Sequence, residues 1–193
     1  MTKVLLTGFE PFGTATSNPS GEIVKQISGD NIVTAILPVA YAQSAERLLA
    51  LIAEHNPDVV ICLGQAEGRT QITPEKVAIN LDDARLADNE GVLRNDVKIL
   101  DSGPDAYFST LPVKEIVEAI KVKGVPAAIS LSAGAFLCNH VFYIAQNKFV
   151  GTNVRSGFVH VPLMDSQAPE FPGLPTMPLD QMVIAVRAML EVL

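Results

Sequence analysis

The run Val59-Val60-Ile61-Cys62-Leu63 contains no polar residue and no alternation of polar with apolar positions. A strand of this kind has no face to offer water. It is read as an inner strand of a mostly parallel sheet with helices on both sides. Residues 3–9, 31–39, 58–64, 76–81, 127–133 and 157–163 are likewise expected to be strands. Helical stripes lie between them. Ala45, Leu48, Leu49 and Ile52 repeat at i, i+3, i+4, i+7, as do Val113, Ile116, Val117 and Ile120. Leu179, Met182, Val183, Val186, Leu190 and Leu193 mark a final helix. The order β-α-β-α-β, then α, β, α, β, α, predicts an α/β/α sandwich around a mostly parallel twisted sheet.

The chain of 193 residues is long enough for a full core, and a single domain spanning 1–193 is the expectation. Hydrophobic residues make up 48% and charged residues 18%, which excludes disorder. The net charge of −7 argues against nucleic acid as a partner. No apolar run reaches the roughly 18 residues of a membrane span, so no membrane association is expected. The start Met1-Thr2-Lys3-Val4 passes into strand with no small-residue cleavage site, so no signal peptide is expected. Two cysteines, Cys62 and Cys138, suit reduced thiols in a cytoplasm.

Two stretches break the rhythm. Residues 65–91 are long and polar, a length often reserved for function. Residues 162–178 carry Pro162, Pro169, Pro172, Pro175 and Pro178 and read as an irregular surface segment.

Common site motifs are missing: no Gly-x-Gly-x-x-Gly, Walker loop, Cys-x-x-Cys, His-Glu-x-x-His or Gly-x-Ser-x-Gly occurs. The informative stretch is Ser130-Leu131-Ser132-Ala133-Gly134-Ala135-Phe136-Leu137-Cys138-Asn139-His140. It reads as a strand, a small-residue turn and a helix start, placing Cys138 in the first helical turn. Free N–H groups there would lower a thiol pKa and bind an oxyanion. A buried structural cysteine is the plainer alternative, and Cys62 fits it. Of three histidines, His55 ends a helix. His140 points about 200° away from Cys138 on that helix. His160 lies near a strand's carboxyl end, where it can face the same cleft. Cys138, His140 and His160 alone make a poor zinc site. A carboxylate to orient the imidazole could be Glu67, Glu75, Asp82, Asp83, Asp88 or Glu90, and composition does not choose.

Four separated motifs resemble the type I pyroglutamyl peptidases, a cysteine peptidase family also called pyrrolidone-carboxylate peptidases. They are Leu6-Thr7-Gly8-Phe9-Glu10-Pro11-Phe12-Gly13 with Asn18-Pro19-Ser20; Gly64-Gln65-Ala66-Glu67-Gly68-Arg69 followed by Glu75-Lys76-Val77-Ala78-Ile79-Asn80 and Asp83-Ala84-Arg85; the segment from Ser132 to His140; and Gly157-Phe158-Val159-His160-Val161-Pro162. The resemblance implies a phosphorylase/hydrolase-like sandwich and hydrolysis of the amide bond after an N-terminal pyroglutamyl residue through a thioester. It makes Cys138 the nucleophile, His160 the base and Glu75 the third member, with Arg85 giving electrostatic support. Phe9, Phe12, Asn18, Gln65, Phe136 and Leu137 match positions forming or bordering the pyroglutamate pocket. No cofactor and no metal are implied; a cytoplasmic homotetramer is.

A neutral lactam calls for apolar walls with a few amide groups, which these residues supply. Phe9 and Phe12 could equally serve as core, and Asn18 before Pro19 as a helix N-cap. Two rival functions stand beside this one. A nucleoside-phosphorylase-like enzyme would need phosphate, and a non-catalytic small-molecule-binding protein would be stabilised by ligand without turnover.

Overall fold

The computed structural model describes residues 2–193; Met1 lies outside them. The strand β1 (Val4–Phe9) is buried at every position. It is followed by α1 (Pro19–Gln26), β2 (Ile32–Leu37), α2 (Tyr41–His55) and β3 (Val59–Gln65). Next come the short strands β4 (Thr73–Pro74), β5 (Val77–Ile79) and β6 (Ala106–Phe108), then α3 (Val113–Val122), α4 (Leu137–Lys148) and β7 (Arg155–Val161). The chain closes with β8 (Leu163–Met164), a 3₁₀ turn (Asp165–Gln167), β9 (Thr176–Met177) and α5 (Leu179–Leu190).

Five strands form the central sheet in the order β2-β1-β3-β7-β4. The first four run parallel, and β4 lies antiparallel to β7. Strand alternation divides the core in two. Val4 and Leu6 of β1, Val59 and Ile61 of β3, and Val159 and Val161 of β7 pack on α1, α3 and α5. Leu5, Phe9, Val60, Cys62 and Phe158 face the other way, onto Leu48 and Ile52 of α2 and Val141 and Phe142 of α4. Burial of each such side chain is worth about 1.5–3 kcal/mol. The α/β sandwich with a mostly parallel sheet expected from sequence is thus the observed architecture.

The first helix shows how local chemistry sets position. Asn18 caps α1, its Oδ1 accepting from the Ser20 N–H at 3.1 Å, and Pro19 follows at the first helical position. Gly8 lets α1 sit directly on β1, because a Cβ there would collide with the Ser20 carbonyl.

Three expectations need correction. Residues 127–133 form no regular strand; only the isolated bridges Ile72 to Ala127 and Glu75 to Ser130 remain. The neighbouring β4 contains Pro74, which has no N–H to extend a ladder, and Leu131 is 73% exposed. Residues 76–81 shorten to β5, which leaves the main sheet to pair with β6. The proline-rich segment is not all surface: Leu163, Met164, Gln167 and Met177 are buried, and β8 pairs with β9.

Strand order reverses between β1 and β3, since β1 leads outward to β2 on one side while β3 begins the other half. In open α/β sheets the crevice beyond the carboxyl ends of such strands is where ligands bind. Phe9 and Gln65 are the last residues of these two strands.

Candidate active site

Consecutive strands β3 and β4 do not pair with each other; β7 lies between them. The connection wraps the carboxyl end of β7, where the Ala66 N–H donates to the Val161 carbonyl at 2.9 Å. His160 therefore has Gly64 beside it on one strand and Thr73 on the other. Thr73 faces the same side of the sheet as His160, and so does Glu75 two residues on. A diagonal cross-strand neighbour is within reach of long side chains. His160 Nδ1 donates to Glu75 Oε1 at 2.7 Å, and both side chains are buried. That bond fixes the tautomer and leaves Nε2 as the free ring nitrogen.

Arg69, in the wrapping turn, completes the group. Its Nη1 donates to the same Glu75 Oε1 at 2.7 Å and to Thr73 Oγ1, and its Nη2 to the Ser132 carbonyl at 3.0 Å. Arg69 stands inside a quoted motif, yet nothing in the sequence marks it as a partner of Glu75. The only available signal is a cation six residues before the carboxylate across a turn.

Cys138 enters from above the sheet as the second residue of α4. A Cβ at Gly64 would lie 2.8 Å from Cys138 Sγ and 2.6 Å from Phe158 Cζ. The thiol thus occupies the space that a side chain at 64 would take, next to the register partner His160. The Phe158 and His160 rings are 4.8 Å apart between centroids and wall the same spot. No side chain caps α4, so its first-turn N–H groups stay free around the thiol. The next two residues turn elsewhere, as helical rotation requires. Asn139 is stitched to the strand β5 and its exit: Nδ2 donates to the Ile79 and Leu81 carbonyls, and Oδ1 accepts from the Ile79 N–H, all at 2.9 Å. His140 Nδ1 donates to Asp82 Oδ2 at 2.9 Å.

Beside the thiol opens a pocket of about 330 Å³, mouth included. Its lining brings together Phe9, Phe12, Asn18, Gln65, Phe136, Leu137 and Cys138, all singled out from sequence, and adds Val39. Asn18 serves the wall and the α1 cap at once. Arg85 is not in this group. It is exposed on a neighbouring opening that shares Phe12 and Phe136 with the pocket and also carries Glu67 and Asp83. The other acidic candidates separate by contact. Asp82 serves His140, Asp88 accepts from the N–H groups of Tyr41, Glu90 and Val92, and Glu90 is exposed. Among the described residues no cluster of three His, Cys, Asp or Glu side chains could hold a metal ion.

The family model for pyroglutamyl peptidase matches residues 2–193. The chain belongs to the pyroglutamyl peptidase family. It is 46% identical over 200 residues to a pyrrolidone-carboxylate peptidase of Aliivibrio fischeri, covering 99% of this chain and 94% of that one. The corresponding protein of Bacillus cytotoxicus is 42% identical over 199 residues, with 100% and 93% covered. Among solved structures, pyroglutamyl peptidase I of Bacillus amyloliquefaciens superposes with a TM-score of 0.94 at 43% identity, over 98% of this chain and 95% of that one. A variant of pyrrolidone carboxyl peptidase from the hyperthermophile Pyrococcus furiosus gives 0.93 at 39% identity, over 98% and 97%.

The electrostatics of this family member correct one expectation. The Cys138 thiol is pushed up to about 12 rather than lowered. Burial is the main cause and the Glu75 carboxylate adds to it; Arg69 and the backbone N–H of Cys138 oppose, without prevailing. The helix start is favourable to a thiolate, but loss of water outweighs it. Burial also holds His160 below the ordinary histidine value, against Glu75, which raises it, and with Arg69, which lowers it. Both shifts favour the uncharged forms, the thiol and the neutral imidazole.

Proposed function

We propose that this chain is a cysteine exopeptidase that hydrolyses the amide bond after an N-terminal pyroglutamyl residue, with Cys138, His160 and Glu75 as its catalytic residues. The observation that carries the reading is the seating of the Cys138 thiol over Gly64, beside His160 and at the edge of a pocket walled by phenylalanines and two amides. The lactam ring enters this pocket and places its exocyclic carbonyl at the sulfur. His160 Nε2 takes the thiol proton as Sγ attacks, so no free thiolate has to form in the buried site. The N–H groups that begin α4 hold the oxyanion. The C–N bond then breaks, and the imidazolium gives its proton to the leaving amine. His160 next takes a proton from water as the water oxygen attacks the thioester; the C–S bond breaks, the imidazolium returns that proton to Sγ, and pyroglutamate leaves. Glu75 fixes the ring and supports its positive charge, while Arg69 holds Glu75. Arg85, on the neighbouring opening, gives its electrostatic support from the side where the rest of the peptide leaves.

No step calls for a cofactor. The proposal extends to one catalytic domain in a cytoplasmic homotetramer that binds neither nucleic acid nor membrane. Two unpaired thiols suit a reducing compartment, and among the described residues no helix is long and apolar enough to cross a membrane. Phe108 and Leu131, 70% and 73% exposed, offer apolar surface for subunit packing.

The test is release of a fluorogenic amine from its pyroglutamyl amide in reducing buffer, beside Cys138→Ser. Release by the wild type alone is expected. Equal release by the folded variant would remove Cys138 as nucleophile, and release by neither would remove the peptidase reading.

A further inference from the structure

The side-chain amide of Gln65 has one end committed and the other free. Its Oε1 accepts from Gln167 Nε2 at 2.9 Å, while its Nε2 is buried without a partner among the described residues. The two ends of an amide are nearly alike in shape, so a neighbour must decide which end points where. Gln167 decides it. This fully buried residue closes the 3₁₀ turn after β8, and two backbone groups that cannot exchange roles fix its own direction. The Met164 N–H donates to Gln167 Oε1 at 3.0 Å, and Gln167 Nε2 donates to the Ser17 carbonyl at 3.2 Å. Only an NH2 is left to face Gln65. Gln65 must answer with its oxygen and turn its own NH2 away. Gln65 is a lining residue of the pocket. The same segment is tied to the β1–α1 loop by Glu170, which accepts from the Thr16 N–H at 3.0 Å and from Thr16 Oγ1 at 2.8 Å.

We infer that Gln167 is a positioning residue for substrate selection: it holds Gln65 Nε2 as a fixed hydrogen-bond donor to the ring carbonyl of a lactam. The inference rests on the reading that the pocket takes a pyroglutamyl ring. It adds that the proline-rich segment, through a relay of backbone, Gln167 and Gln65, sets the polarity of one pocket wall. A five-membered ring without the carbonyl, such as an N-terminal proline, leaves that donor unpaired and brings a cation toward it, and is rejected on both counts.

Gln167→Glu reverses the relay. The carboxylate still accepts from the Met164 N–H but has nothing to donate, so Gln65 turns its NH2 toward residue 167 and its oxygen toward the substrate. KM for a pyroglutamyl amide is expected to rise about 10- to 100-fold, the effect of a hydrogen bond replaced by two facing acceptors. The bare lactam 2-pyrrolidone, measured by its protection of Cys138 from iodoacetamide, should lose affinity by a similar factor. In a Gln65→Leu background the same change should add nothing, because the relay has lost its end. Gln167→Met, which cuts the relay without a charge, and Gln65→Glu, which alters only the donor, should each weaken lactam protection and cover the case in which Gln167→Glu does not fold.

Unaltered lactam protection in the folded variants, a full further loss in the Gln65→Leu background, or no protection of the wild type would each overturn the inference. Protection is read without turnover. A wild type that binds the lactam in a Gln167-dependent way but releases no amine would keep this inference and sink the peptidase reading.

Discussion

Two arginine–carboxylate–histidine assemblies flank the start of α4, and they are built alike. In the first, Glu75 Oε1 accepts from both His160 and Arg69, each at 2.7 Å, and Glu75 Oε2 has no partner among the described residues. In the second, Asp82 Oδ2 accepts from His140 at 2.9 Å and from Arg94 at 2.6 Å, and Asp82 Oδ1 likewise has none among them. What differs is the free side of each imidazole. Beyond His160 lie a thiol, a glycine and a pocket. His140 instead meets the edge of the Tyr41 ring, centroids 5.3 Å apart, while the Arg94 guanidinium lies over the same tyrosine at 4.4 Å. An oriented imidazole is therefore only half of a catalytic group. The second assembly pins the 82–97 loop to α4 and α2, and its histidine has nothing to act on.

The contrast can be broken most sharply at the proposed nucleophile. Cys138→Ala should lower amine release to background while the thermal midpoint stays near that of the wild type; a folded variant that still turns over would end the assignment. Next come the two carboxylates. Glu75→Gln should reduce kcat about 10²–10⁴-fold with a much smaller change in KM. Asp82→Asn should leave kcat largely in place and lower unfolding stability by about 3–5 kcal/mol, the cost of breaking a buried pair. Urea melts and steady-state kinetics on both variants would expose an exchange of these roles. Gly64→Ala is expected to cost about 10- to 100-fold in kcat, because the new methyl takes the seat of the sulfur; an unaltered rate would mean the thiol works from elsewhere.

The smallest effect is on pH. His160 must be neutral to accept a proton, and burial holds its pKa below the ordinary 6.5, so the acid limb of kcat/KM should fall below pH 6.5. Arg69 lowers that value, so Arg69→Met should move the limb toward higher pH. With the thiol at about 12, the alkylation rate of Cys138 should keep climbing through pH 10. A plateau near neutrality would point instead to a preformed thiolate–imidazolium pair.

Much of this was legible in the residues. Apolar runs and 3.6-residue stripes located the strands and helices, because burial writes itself into periodicity. The sandwich and the opposite headings of Cys138 and His140 followed. Glu75 could not be picked out among its acidic neighbours by composition, since what distinguishes it is the antiparallel turn that folds β4 onto β7. Arg69 and Gln167 escaped for the same reason: their partners are set by register and by a buried turn. The thiol pKa is not legible in sequence: a helix start is visible there, whereas the loss of water around Sγ is not. The segment 127–133 has β-like residues and meets residues 72–76, but Pro74 lacks the N–H that would join its two isolated bridges into a ladder.

The placement of β7 between β3 and β4 has a thermal consequence. The spacing of His160 from Glu75 and from the seat of the sulfur at Gly64 follows from the pairing of β7 with β4 and β3, not from a hinge. Parts of a protein that open separately can lose function well before they lose the fold. Here Gly64 and His160 are paired on the inner strands β3 and β7, and the Glu75 N–H donates to the Phe158 carbonyl of β7 at 2.9 Å. Heat should therefore silence this molecule only at the temperature that unfolds it, with no warm, folded and inactive state in between.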